Sequence, residues 1–213
     1  ADWVKDGTTR HDAGNVYVYD FKSSYGVPTG LTQLHDIVGS ANDRIGHREA
    51  LAVSGDGSFV AVGSMALTVK LYERSGNSWS ETQTLSSGDS GSRYGWYLSL
   101  SQDGLTLAVG AMHGGTNYQG YVRVYQRSAG GQFSQTQELS YTNSQEFGTK
   151  VELSADGLTL VVSSIQAHDD SGQYITGVGA RGWVVVYTRA SNGDDFVYFD
   201  RMHGTDGYQG GTT

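Results

Sequence analysis

Two histidine-bearing stretches gather polar side chains whose types could do chemistry. Residues 163–181 include Gln166, His168, Asp169, Asp170, Gln173 and Tyr174. An imidazole beside two carboxylates suits a polar recognition site or a metal-assisted one, and the same composition suits a solvated acidic loop. Residues 111–119 include His113, Asn117 and Tyr118 among glycines. That mixture binds sugar or peptide through hydrogen bonds and stacking, and it equally fits an uncommitted surface loop. Asp194-Asp195 follows Ser191-Asn192-Gly193, where Asn, Gly and Asp most simply make a turn. The six histidines (His11, His35, His47, His113, His168 and His203) show none of the close pair spacings of a zinc site. With no cysteine, disulfides, thiolate metal sites and cysteine nucleophiles are all excluded. No nucleophile elbow, phosphate loop, metalloprotease motif or dinucleotide fingerprint occurs.

The elements that must position these loops repeat. Residues 53–62, 100–109 and 153–162 share one pattern: an apolar residue, Ser-x-Asp-Gly, two variable residues, then two apolar residues and Val. From Asp56 to Asp103 is 47 residues and from Asp103 to Asp156 is 53, the period range of β-propeller blades. Asp56-Gly57, Asp103-Gly104 and Asp156-Gly157 supply the backbone conformations of a tight turn between a first and a second strand. Tyr72, Tyr125 and Tyr187 recur at one position of a third strand, a recurrence that marks interblade packing, and Arg74, Arg127 and Arg189, two residues further on, close the same strands with local hydrogen bonds or ion pairs. Polar fourth strands follow.

The expected architecture is therefore all-β, a propeller of four-stranded antiparallel blades. Residues 45–93, 94–146 and 147–213 are the three blades, the last carrying the longest loop between its second and third strands and the start of the next linker. Residues 1–44 form the second half of another blade, with Val18-Tyr19 on its third strand, and a linker. Three blades and a half leave open strand edges, so the reading expects a piece of a larger propeller or completion by another chain. The link between second and third strands lengthens from blade to blade. Loops held by a rigid scaffold are where function concentrates, which selects the two histidine loops as the binding face.

A net charge of −8 with only 14 Lys and Arg leaves no basic footprint for nucleic acid or an anionic membrane. No apolar run reaches the roughly 18 residues of a membrane span, and Ala1-Asp2-Trp3-Val4-Lys5 lacks a signal-peptide pattern. High glycine with a single proline suits short strands and tight turns.

The blade openings Ile45-Gly46, Tyr94-Gly95 and Phe147-Gly148, together with Val62-Gly63-Ser64, Val109-Gly110-Ala111 and Val162-Ser163-Ser164, resemble FG-GAP repeats, the blades of the integrin-alpha type of propeller. The resemblance covers nearly the whole chain. It implies a non-enzymatic extracellular or cell-surface module that binds protein or glycan partners through its long-loop face. It also allows calcium, but one carboxylate per turn cannot supply the about 6 to 8 oxygens that calcium prefers, so no cofactor is expected. Two alternatives stand beside this reading. One is a structural subunit of a filament or sheath, built by inter-chain blade completion. The other is a polysaccharide-acting propeller hydrolase or lyase using the acids and His168 of the third-blade loop.

Overall fold

The Ser-x-Asp-Gly segment of each repeat folds into the same turn, and its hydrogen bonds account for the residue choice. Asp56 Oδ1 accepts from the Ser54 hydroxyl at 2.7 Å, from the Ser58 backbone N–H at 2.9 Å and from the Ser58 hydroxyl at 2.8 Å. Ser54 Oγ in turn accepts from the Phe59 N–H at 3.0 Å. Asp103 and Asp156 repeat the arrangement with Ser101 and Leu105 and with Ser154 and Leu158. The glycine that follows takes a left-handed φ of 67°, 69° or 70°, a region a side chain disfavours.

These bonds favour the charged carboxylate, and they hold Asp56 down to about 2. A group whose pKa is depressed by folding contributes stability above its unfolded value near 4 and loses it as the pH falls through its folded value. Asp56→Asn is accordingly expected to melt below wild type at neutral pH, with the difference closing between about pH 4 and pH 2. A thermal-melting deficit that stayed constant across that window would contradict the turn's role.

The computed structural model describes residues 3–5, 8–10, 12–24, 27–141, 144–167 and 182–203. Among them are sixteen strands and no α-helix, and no helix is long and apolar enough to cross a membrane. Three four-stranded antiparallel sheets follow one another. The first is β5 (Leu51–Val53), β6 (Phe59–Gly63), β7 (Thr68–Ser75) and β8 (Ser78–Ser86). The second is β9 (Tyr94–Leu100), β10 (Thr106–Ala111), β11 (Tyr121–Gln126) and β12 (Ser134–Leu139). The third is β13 (Ser144–Leu153), β14 (Thr159–Ala167), β15 (Trp183–Thr188) and β16 (Val197–His203). Each pairs in chain order. Before them, β3 (Asn15–Ser24) and β4 (Val27–Val38) form a two-stranded outer half-blade, and β1 (Trp3–Lys5) with β2 (Thr8–Arg10) forms a separate small hairpin. This is the propeller of four-stranded blades that the repeats imply, although the amino-terminal hairpin has no counterpart in the sequence reading.

The cores lie between blades rather than inside them. Phe59, Val69 and Leu71 of the first blade meet Leu98, Leu107, Val109 and Tyr125 of the second. Ala108, Val122 and Val124 on the other face of the second blade meet Phe147, Val151, Leu160, Val162 and Tyr187 of the third. The half-blade packs Val16 and Ile37 on Val60, Tyr72 and Trp79. A strand covered on both faces loses its polar alternation, and every residue of β10 is buried.

Polar side chains stitch the same seams. Gln83 accepts from the Phe133 N–H and donates to the Phe133 carbonyl, both at 2.8 Å. Gln137 does the same to Phe196 at 2.8 and 2.9 Å. A side-chain amide thus stands in for one rung of a strand ladder at each junction, satisfying backbone groups that would otherwise be unpaired. Arg127 Nε donates to the Gly104 carbonyl at 2.9 Å while its Nη1 reaches Glu73 of the preceding blade at 3.4 Å. Arg189 Nε donates to Gly157 O at 2.9 Å, and its Nη2 donates to Thr106 Oγ1 of the preceding blade at 2.8 Å. The recurrent arginines of the second and third blades therefore clamp each Asp-Gly turn to the neighbouring blade.

Candidate functional site

The innermost strands β5, β9 and β13 converge on an axial cleft of about 230 Å³ lined by Glu49, Leu51, Ala52, Val53, Leu98, Ser99, Leu100, Lys150 and Glu152. Local sequence explains how charge reaches it. Asp56 follows Ile45 by eleven positions, whereas Asp103 follows Tyr94 and Asp156 follows Phe147 by nine. The two additional residues bring Glu49 to a bridge with Tyr97 at the start of β9. On β13, Val151 and Leu153 turn into the core between blades, while Lys150 and Glu152 alternate to the exposed side.

Lys150 ion-pairs with Glu49 across the axis, from the third blade to the first. The Glu49 carboxylate raises the Lys150 ammonium above the ordinary lysine range, against the opposing effect of desolvation, and Glu152 and Tyr97 contribute in the same direction. The ammonium therefore stays charged through the physiological range. Sequence reasoning missed this trio. The available signal was two charges at alternate positions of an inner strand where the second blade has Tyr97 and Ser99.

At the other end of the same strands the three Asp-Gly turns line a second cleft with Gly55, Gln102 and Ala155. Gly55 N–H donates to Gln102 O at 2.8 Å and Gln102 N–H to Ala155 O at 2.9 Å, so the turns link into an arc. Among the described residues no group of three or more His, Asp or Glu is placed to hold a metal ion.

The 111–119 loop brings two of its three named residues, His113 and Tyr118, into contact. His113 Nε2 lies 3.3 Å from Glu146 Oε1 of the next blade, and its ring stands 4.9 Å from that of Tyr118, which is exposed. Asn117, Tyr118 and Glu146 all take left-handed φ, at 55°, 56° and 57°. Backbone strain of this kind in non-glycine residues clusters at functional sites. The Gly120 N–H donates to Gly114 O at 2.9 Å and the Phe147 N–H to Gln119 O at 3.0 Å, which pins the loop to the third blade. Glu146 was not found from the sequence, which counts it with the second blade, whereas the strand that carries it, β13, starts at Ser144 and belongs to the third. The backbone of Gln166 pairs with Gln145 in the β13–β14 ladder, beside Glu146. His168, Asp169, Asp170 and Tyr174 lie outside the described residues.

No protein-family model and no curated protein matches the chain. Solved structures do. A protein from Lactobacillus plantarum is 16% identical with a TM-score of 0.57, over 88% of this chain and 48% of that one. A protein from Bacteroides uniformis named as a candidate 6-phosphogluconolactonase is 13% identical with a TM-score of 0.58, over 90% and 52%. Sqt1 of Saccharomyces cerevisiae is 14% identical with a TM-score of 0.53, over 76% and 35%. The chain thus spans about half the length of the first two and a third of Sqt1.

These likenesses establish the fold and correct two expectations. The propellers that the chain resembles are of the lactonase-named and Sqt1 kinds rather than integrin FG-GAP heads. The physical reason is visible in the turns: an Asp-Gly hairpin arises wherever two strands need a tight connection, so its repetition reports blades and not a family. The reading as a non-enzymatic extracellular or cell-surface module rested on that resemblance and falls with it.

Proposed function

We propose that this chain carries the hydrolytic site of a propeller that opens sugar esters, a sugar-acid lactone being the simplest. The observation that carries the reading is the Lys150 ammonium paired with Glu49 at the axial cleft, with the Glu152 carboxylate lining the same cleft. Ester hydrolysis needs a base for the attacking water and a positive charge where the carbonyl oxygen becomes an oxyanion. Glu152 takes a proton from water as its oxygen bonds to the carbonyl carbon. The developing oxyanion is stabilised by Lys150, whose positive charge Glu49 reinforces. The intermediate then collapses with cleavage of the acyl–oxygen bond, and the departing sugar oxygen takes the proton from Glu152. The product is a carboxylic acid with a free hydroxyl, and the acid ionises in water. The candidate 6-phosphogluconolactonases among the structural neighbours add support at the level of substrate class. Incubation with D-glucono-1,5-lactone, an acetylated xylan and an unsubstituted β-glucan tests the reading. Turnover of the esters alone is the expected result; no turnover of either ester overturns it.

One observation favours a second reading, assembly. Leu51 and Val53 of β5 are 46% and 59% exposed, although their counterparts Leu98, Leu100, Val151 and Leu153 are buried against the preceding blade. At the far end, Val197, Phe199 and Met202 of β16 are exposed where the outer strands of the first two blades are mostly polar. Apolar faces of this size mark contacts, here with further blades. Self-association is expected above micromolar concentration in sedimentation velocity. A 22.8 kDa species at every concentration would exclude a second copy as the source of those blades.

A further inference from the structure

We infer a second saccharide subsite in the cleft between the half-blade and the first blade. The inference rests on the proposed hydrolytic reading only for its ligand class, a polyhydroxylated sugar. The cleft, about 440 Å³, is lined by Asp12, Gly14, Asn15, Tyr17, Arg44, Ile45 and His47. Its two walls are locked together by backbone bonds. Arg44 N–H donates to Asp12 O at 2.9 Å, Ile45 N–H to Ala13 O at 3.1 Å and Gly39 N–H to Gly14 O at 3.3 Å. Asp12, Arg44 and Arg48 hold left-handed φ of 50°, 44° and 59°, the backbone strain that accompanies binding sites.

Within this frame, Asn15 Nδ2, Asn15 Oδ1 and His47 Nδ1 are buried without a hydrogen-bond partner. Buried polar atoms are ordinarily satisfied, and exceptions ask for a role. The unmade set contains a donor and an acceptor on one amide. A hydroxyl pair of a sugar ring satisfies both at once when the amide rotates toward the opening, whereas an anion satisfies only the donor. The cleft's cation is already engaged, since Arg44 Nη2 pairs with Asp12 Oδ2 at 2.5 Å. Desolvation, followed by the charges of Arg48 and Arg44, lowers the His47 pKa and so favours the neutral imidazole, which exchanges hydrogen bonds with hydroxyls. Tyr17, exposed on the cleft wall with its ring 6.3 Å from that of Tyr19, offers the flat apolar face on which a sugar ring stacks.

The test is a nuclear magnetic resonance titration of the full 213-residue chain with two probes, D-glucose and cellohexaose. These separate a free sugar from a glycan chain as the source of the polyol. The Asn15 side-chain amide and the Tyr17 ring signals are expected to move with at least one probe. Tyr17→Ala, a surface change that leaves folding intact, is expected to weaken that binding about tenfold. Asn15→Leu is expected to abolish it, and the shifts should persist in Glu152→Gln. Signals at Asn15 and Tyr17 that ignore both probes, or that move only with a capped trialanine peptide, overturn the subsite, even where lactone turnover upholds the axial reading. Shifts without turnover uphold the subsite and remove the hydrolytic reading.

Discussion

Glu152→Gln is expected to lower kcat/KM for hydrolysis of D-glucono-1,5-lactone by at least about 100-fold, the scale of a lost general base. The amide keeps the shape of the carboxylate and cannot accept the water proton. Lys150→Met is expected to cost about as much, since it removes the charge facing the oxyanion. Because the two groups act on one transition state, the double variant should fall little further than either single one. Both side chains lie on the exposed side of β13 while Val151 and Leu153 hold the strand in the core, so the variants should fold. Glu49→Gln should have a smaller effect, because Lys150 remains charged through Glu152 and the ordinary basicity of lysine. Retention of wild-type kcat/KM by Glu152→Gln would remove the assigned role.

Arg189→Ala carries the largest expected effect on stability, a loss of about 3 kcal/mol. The side chain is buried, donates to Gly157 O, Thr106 Oγ1 and Asn192 Oδ1 at 2.9, 2.8 and 2.8 Å, and lies over the Phe196 ring at 4.5 Å. Its removal leaves a turn carbonyl and a hydroxyl of the preceding blade without their partner and strips a flat face from Phe196. For a chain of this size the loss corresponds to a drop in Tm of about 10 °C. Arg189→Lys should recover little of it, because one ammonium does not reproduce the planar fork that serves four acceptors. A variant that melted within about 2 °C of wild type would show that the clamp contributes little to holding the second and third blades together.

Much of this architecture was legible in the sequence because the period was carried by residues with strong local meaning. Ser-x-Asp-Gly dictates its own turn, and Tyr72, Tyr125 and Tyr187 report one packing position three times. Val18-Tyr19 placed the half-blade by the same token. What escaped was made by contacts between repeats. Gln83 and Gln137 read as solvent-facing residues of polar strands, and only the approach of the next blade turns them into backbone clamps. Glu49 and Lys150 lie 101 positions apart and meet because two inner strands face the same axis. His113 was singled out for its loop, yet its partner Glu146 belongs to another blade.

The family reading failed for a related reason. Turn chemistry is shared by unrelated propellers, so the repeated turn identified the architecture without identifying the lineage or the activity.

The most direct measurement is the shift of the Lys150 side-chain ammonium in spectra of the chain with ¹⁵N-labelled lysine, titrated with D-gluconate as the product. Lys5, Lys22 and Lys70 are the other lysines, so the assignment needs only single substitutions. Saturable movement of the Lys150 signal, with Lys70 unmoved, is the result expected for a sugar acid seated in the axial cleft. A Lys150 signal that stays fixed while the lactone is turned over would place the chemistry elsewhere and contradict the assignment of Glu49, Lys150 and Glu152.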